Sequence, residues 1–292
     1  MNRGVCVGLL VLCACKPAEK KAAAGAPVKA ATVAGFRTPE SVLWDSAQDV
    51  YFVSNINGAP SVKDGNGYIS RMGAAGMVTD SAFIKGLNAP KGMALVHDTL
   101  WVTDIDQVRA FDARTGAPVA TVQVPGAVFL NDITAAPDGS LYITDSAIRF
   151  GAKGMEHVGT DQIFRIAPDR KLSVAVKTDS LARPNGITWD AANQRFIVVP
   201  IGGTKNFFAW KPGDAAPAVI GTGPGGYDGV EFAHGAMLVS SWADSSVYRF
   251  ENGKGSKLIS GVPSPADIGY DARRNRVLIP VFTGNRVEIW QL

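Results

Sequence analysis

From about residue 36 onward, apolar and polar residues alternate with a period of two, in short runs broken by Gly, Pro, Asn and Asp. That period puts successive side chains on opposite faces of a strand, and no stretch of ordinary length carries the 3.6-residue period of an amphipathic helix. One pattern returns six times. A short entry containing one variable residue leads into an alternating strand, a polar turn, and an apolar strand that ends in Thr, Ser, Pro or Asp. The copies begin at Pro39-Glu40-Ser41-Val42, Pro90-Lys91-Gly92-Met93, Leu130-Asn131-Asp132-Ile133, Pro184-Asn185-Gly186-Ile187, Tyr227-Asp228-Gly229-Val230 and Pro265-Ala266-Asp267-Ile268. Their second strands include Tyr51-Phe52-Val53-Ser54, Leu100-Trp101-Val102-Thr103-Asp104 and Leu141-Tyr142-Ile143-Thr144-Asp145.

The copies lie about 38 to 54 residues apart, the span of one four-stranded propeller blade. Third strands follow at Val108-Arg109-Ala110-Phe111-Asp112, Gln162-Ile163-Phe164-Arg165-Ile166 and Ser246-Val247-Tyr248-Arg249-Phe250. The chain stops at Arg286-Val287-Glu288-Ile289-Trp290, a third strand for the sixth copy, so the missing fourth is expected from residues 28–36. Pairing the two ends would remove two open sheet edges. The expected fold is therefore all-β: a six-bladed β-propeller over 30–292, closed by its N- and C-terminal strands.

In a propeller the innermost strand of each blade lines the axis, so the six variable residues converge on one mouth of the channel. They are Glu40, Lys91, Asn131, Asn185, Asp228 and Ala266. Four offer carboxylate or amide oxygens and none offers sulfur or imidazole. Such a set suits one hard divalent cation, Ca²⁺ first and Mg²⁺ or Mn²⁺ as alternatives. Asn-Gly and Asp-Gly pairs also form turns, but here the hairpin turns sit elsewhere, at Asp138-Gly139 and His234-Gly235.

Pro39-Glu40 with Trp44-Asp45, Asn131-Asp132, Pro184-Asn185-Gly186-Ile187 with Trp189-Asp190, and Asp228-Gly229 together resemble the signatures of the gluconolactonase/regucalcin (senescence marker protein) family. Its wider circle includes the paraoxonases and diisopropyl fluorophosphatase. The resemblance spans roughly residues 35–292 and implies a calcium-dependent propeller that hydrolyses lactones, related esters or phosphoesters. It implies that Glu40, Asn131, Asn185 and Asp228 are the metal ligands.

A metal at this point would polarise the lactone carbonyl, with Asp228 as the candidate catalytic base. Loops between second and third strands should shape the substrate pocket, giving Asn57, Asp104, Asp145, His157 and Trp242 as candidate contacts, with Lys91 greeting an anionic group or bending to Asp132 or Asp267. The long segment 148–161, carrying Arg149, Lys153 and His157, reads as a lid. A single histidine on this side cannot build the histidine pair of paraoxonase-like sites. A ligand-binding or scaffolding propeller with a structural metal or none is the alternative, and a quinone-dependent sugar dehydrogenase is a distant third.

Composition narrows the partners. The net charge is +3 with no basic block, which argues against nucleic acid. Cys6, Cys13 and Cys15 lie in the first sixteen residues and the body has no cysteine, excluding disulfides and thiolate chemistry there. Arg3, the apolar run 5–12 and Leu12-Cys13-Ala14-Cys15 read as a lipoprotein signal over 1–14 with Cys15 lipidated. Residues 15–29 then form a flexible tether. The expected location is the periplasmic face of a bacterial outer membrane, with membrane contact through the lipid alone and a small molecule as substrate.

Overall fold

The computed structural model describes residue 1 and residues 25–152, 154–251 and 253–292. The signal, Cys15 and most of the tether, like Lys153, lie outside the described residues. Six four-stranded antiparallel sheets surround one axis, a six-bladed β-propeller. Blade one runs Pro39–Asp45, Val50–Asn55, Gly67–Gly73 and Val78–Leu87, and blade two runs Pro90–Val96, Thr99–Asp104, Gln107–Asp112 and Pro118–Gln123. Blade three is Leu130–Ala135, Leu141–Asp145, Gln162–Ile166 and Leu172–Lys177; blade four is Pro184–Asp190, Arg195–Pro200, Asn206–Trp210 and Ala218–Thr222. Blade five is Tyr227–Ala233, Ala236–Ser241, Ser246–Glu251 and Lys254–Ser260. Blade six takes Gly269–Asp271, Arg276–Val281 and Arg286–Gln291 from the C-terminus and Val28–Ala34 from the N-terminus.

The closing pair runs from Val28 opposite Gln291 to Ala34 opposite Arg286. At this seam the buried Glu288 carboxylate accepts from Lys29, Arg286 and the Trp290 indole. The core is divided into six layers, one between each pair of neighbouring blades. Between blades six and one, for example, Val33, Leu278, Val287 and Ile289 meet Val42, Tyr51 and Val53. Each such side chain removed from water contributes about 1.5–3 kcal/mol, so the ring is held by the sum of equivalent layers.

The inner strands of the first five blades share a defect. Register shifts by one residue between Pro39 and Val42, Pro90 and Met93, Leu130 and Ile133, Pro184 and Ile187, and Tyr227 and Val230. A bulge of this kind re-aims a side chain and leaves backbone groups outside the ladder. Hydroxyls at the end of the second strand take up those groups. Thr144 Oγ1 accepts from the Asp132 amide at 3.0 Å and donates to the Asn185 carbonyl of the next blade at 2.6 Å. Ser240 does the same between the Gly229 amide and the Ala266 carbonyl. Ser54 accepts from the Ser41 amide, and Thr103 donates to the Asn131 carbonyl.

The bulges also bring the blades into close contact at the axis. A Cβ on Gly186 would stand 2.3 Å from the Asp228 carbonyl oxygen, and one on Gly229 would stand 2.4 Å from the Ile268 amide. Only glycine fits at either position.

Replacing Thr144 by Val keeps the shape and removes the link between blades three and four. The orphaned Asp132 amide and Asn185 carbonyl should cost about 1–3 kcal/mol, measured by urea unfolding, and an unchanged midpoint would count against this role.

Candidate metal centre and pocket

The bulges turn Glu40, Lys91, Asn131, Asn185 and Asp228 onto the floor of one cavity of about 640 Å³. All five are buried, none above 5% exposed. Asp228 holds its Oδ2 against the Trp242 indole N–H at 2.8 Å and its Oδ1 against the Asn185 amide at 3.2 Å. The same Asn185 nitrogen donates to the Tyr227 carbonyl at 3.0 Å. This commits the nitrogen and leaves Asn185 Oδ1 as the free end of the amide.

Asn185 Oδ1 and Glu40 Oε2 are both fully buried without a hydrogen-bond partner. An unsatisfied buried acceptor is costly, and two at one point need an explanation. The electrostatics run the same way. Burial, reinforced by the Asp267 charge, pushes the Asp228 carboxyl up to about 8, against the donors Trp242 and Asn185. Burial raises Glu40 well above the usual carboxylate range, helped by the charges of Asp228 and Asp267 and opposed by Lys91. Free hard oxygens beside two mutually repelling carboxyls fit a hard divalent cation, whose charge would relieve both strains.

Of the six side chains expected from sequence to meet a substrate, Lys91 and Trp242 line this cavity. Lys91 does not bend to Asp132 or Asp267. Its ammonium donates to the Ala89 carbonyl at 3.1 Å and lies 4.3 Å from the centre of the Phe129 ring. Burial brings its pKa down to about 8, although the charges of Glu40 and Asp104 pull it up. Asp132 and Asp267 instead face a second cavity of about 240 Å³ further along the channel, with Ser41 and Glu231.

Asp104 and Asp145 do not reach this cavity. Asp104 stands opposite Pro90, where its carboxylate accepts from the Asn88 and Ala89 amides. Asp145 stands opposite Leu130 and accepts from Val128, Phe129 and Ala147. Both carboxylates fasten the loop that enters their own blade's inner strand. Asn57 has a left-handed backbone and donates to the Asn66 carbonyl, so it closes a loop and lies off the cavity lining.

Segment 148–161 contains a small hairpin, Ile148–Gly151 paired with Gly154–His157. Phe150 and Met155 stand opposite each other in it and line the cavity. His157 lies at its foot, outside the lining, with Nε2 2.8 Å from Asp161 Oδ1. Asp161 Oδ2 accepts from the Arg183 amide, and Asp179 approaches the Asp161 amide. Among the described residues, His157, Asp161 and Asp179 form the one His/Cys/Asp/Glu group that brings three ligand atoms close enough to share an ion. The Asp161 oxygens, however, already have donors. The axial floor was outside that pattern because two of its four oxygen donors are amides.

Sequence reading missed the walls. Ile56, Pro60, Val62, Phe129, Ile201 and Phe282 enclose the space above the floor. Their only signal is an apolar residue inside a loop, which alternation alone does not distinguish from core.

The sequence matches the SMP-30/gluconolactonase/LRE-like region over residues 38–267. Among solved structures, a gluconolactonase from Xanthomonas campestris superposes with a TM-score of 0.71 at 19% identity, covering 89% of this chain and 88% of that one. A luciferin-regenerating enzyme gives 0.69 at 12% identity, covering 90% and 94%. The PQQ-bound aldose sugar dehydrogenase of Streptomyces coelicolor gives 0.66 at 16%, covering 91% and 98%. No curated protein sequence matches the chain. At these identities the structures share the fold.

With divalent ions chelated, the folded protein keeps a proton on Asp228 that the unfolded chain releases near the ordinary carboxylate pKa. The native state then binds more protons, so stability should fall as pH rises from about 4 towards 8. Thermal melts in EDTA should show that fall. Asp228→Asn, which never ionises, should make it shallower, the other buried carboxyls keeping the remainder, and raise the melting temperature most at the alkaline end; an unchanged slope would refute the assignment.

Proposed function

The chain belongs to the SMP-30/gluconolactonase/LRE-like family, and on that premise we propose that it is a divalent-cation-dependent hydrolase of lactones or related esters. The observation that carries this is the pair of partnerless buried oxygens, Glu40 Oε2 and Asn185 Oδ1, at the closed end of a pocket large enough for a small organic molecule. Glu40, Asn131, Asn185 and Asp228 would hold the ion, Ca²⁺ first and Mg²⁺ or Mn²⁺ as alternatives. Bound there, it would supply Lewis-acid polarisation of the ester carbonyl.

The chain's own residues supply the rest. Trp242 fixes one carboxylate oxygen of Asp228 and Asn185 steadies the other, so the carboxylate is oriented before substrate arrives. It is the group suited to take the proton of an attacking water. Lys91, held over Phe129 by the Ala89 carbonyl, presents a cation to the carboxylate product of ring opening. Among the described residues the cavity is lined by neither histidine nor arginine, which favours hydrolysis over the quinone-dependent dehydrogenase alternative. Export, lipidation at Cys15 and residence on the periplasmic face of an outer membrane complete the proposal, with a small molecule as the partner.

Purified protein treated with EDTA should lose lactone hydrolysis and regain it with Ca²⁺, followed by proton release on a lactone panel. Asp228→Asn should lower kcat about a hundredfold or more, and activity that survives with metal still bound would remove Asp228 from the base role. Protein that binds no divalent ion and opens no lactone would instead favour the ligand-binding alternative.

Trp242→Phe keeps the ring and deletes the donor to Asp228. We expect kcat to fall about tenfold with little change in metal affinity, the loss of one charge-assisted hydrogen bond. Calorimetry with Ca²⁺ alongside steady-state rates separates the two effects.

A further inference from the structure

We propose that the substrate of this site carries a long apolar arm, and that polyhydroxylated sugar lactones are poor ligands for it. The substrate assignment rests on the hydrolase assignment above, and it is carried by how polarity is distributed over the pocket. Glu40, Lys91, Asn131, Asn185 and Asp228 lie together on the floor. Above them, among the described residues, the walls offer Ser61 as the one hydroxyl side chain, and the Trp242 indole N–H is already spent on Asp228.

The remaining wall is aliphatic and aromatic. Ile56 and Phe129 are fully buried within it. Trp242 packs against Phe282 with ring centres 5.3 Å apart, and Phe129 packs against Phe150 at 5.5 Å. The mouth is apolar as well: Val62, Phe150 and Met155 are 46%, 43% and 38% exposed. Two of these belong to the inserted hairpin, whose foot is tied down through His157 and Asp161. Apolar side chains held at an open rim over a cavity of about 640 Å³ lose nothing to water only when something apolar covers them.

A sugar lactone entering this space would exchange the water on several hydroxyls for hydrocarbon, and each unpaired hydroxyl weakens binding. A cyclic ester bearing an alkyl chain meets the opposite situation. Its ring and carbonyl can rest on the polar floor while the chain runs up the wall past Phe129 and Phe282 to Met155 and Phe150. Ring opening leaves a hydroxy-carboxylate whose charge stays at the floor, beside Lys91, and whose chain still faces the mouth.

The test is a series from γ-butyrolactone through γ-hexalactone and γ-octalactone to γ-decalactone, with D-glucono-δ-lactone, all kept below their aggregation limits in the presence of Ca²⁺. We expect kcat/KM to rise about threefold per added methylene until the chain reaches the rim, with the sugar lactone about a hundredfold or more below γ-decalactone. A flat series, or one led by the sugar lactone, overturns the assignment. The Phe150→Ser/Met155→Ser double variant, changed only at exposed positions, should flatten the long-chain end of the series; a slope equal to wild type also overturns it. If no lactone is hydrolysed, the hydrolase reading fails by itself, and calorimetry with hydrolysis-resistant γ-decanolactam and γ-butyrolactam still decides the pocket's preference. Tighter binding of the decanolactam by about a hundredfold supports the apolar arm, and equal affinities exclude it.

Discussion

Everything at the axis depends on a bulge that one hydroxyl makes tolerable. A regular inner strand would send alternate side chains into the neighbouring blades and none squarely at the channel mouth. The extra residue at Glu40, Lys91, Asn131, Asn185 and Asp228 turns those side chains inward, but it also strips backbone groups of their ladder partners. Thr144 and Ser240 accept the freed amide from their own blade and donate to the freed carbonyl of the next. One hydroxyl thus completes two blades, and the position of a site residue becomes a property of the ring. Blade four lacks this hydroxyl, having Val199 there; at its bulge the Ile187 amide donates to the Asp132 carboxylate of blade three at 2.7 Å.

The geometry concentrates acidic groups that stability alone would keep apart. Glu40 and Asp228 face one cavity, Asp132, Glu231 and Asp267 the other, and Asp267 raises the pKa of each of the other four. Burial is the first cause in every case. Some of the crowding is relieved locally: Ser41 donates to Asp267 at 2.6 Å, and the Ile133 and Ile187 amides donate to Asp132. Glu40 Oε2 has no such relief. A buried acidic group left without a partner beside an open cavity is the pattern of a functional site, where pKa values are displaced by burial and like charge.

The propeller was legible because its information is periodic. Six strand starts in register, a third strand left over at Arg286–Gln291, and a lone strand at the N-terminus determine both blade number and closure, since any other arrangement leaves an open edge. The floor was legible for the same reason: five of the six variable residues line one cavity, and only Ala266, the one without a polar side chain, stays off it. What failed was reasoning about residues near the floor in sequence. Asp104 and Asp145 end strands that point at the site, yet each is opposite the first residue of its inner strand, where loop amides need an acceptor. Alternation tells which face a side chain takes; it does not tell which unpaired amide waits there. Charge alone does not place Lys91; the Phe129 ring and the Ala89 carbonyl do. The walls were illegible because loops carry no period, and an apolar loop residue is ambiguous until the loop's course is known.

Those walls change what the floor can do. Coulomb interactions strengthen as water is excluded and the local dielectric falls. With Phe129, Phe282 and Trp242 lining the cavity wall, a substrate that filled the space would shield Asp228 and the partnerless oxygens from solvent. A substrate whose own hydroxyls carried water inward would undo that shielding. On the proposed hydrolase reading, the apolar wall would act on the chemistry as well as on recognition: the molecule that fits it best would also leave the Asp228 carboxylate in the environment where its orientation by Trp242 and Asn185 counts most.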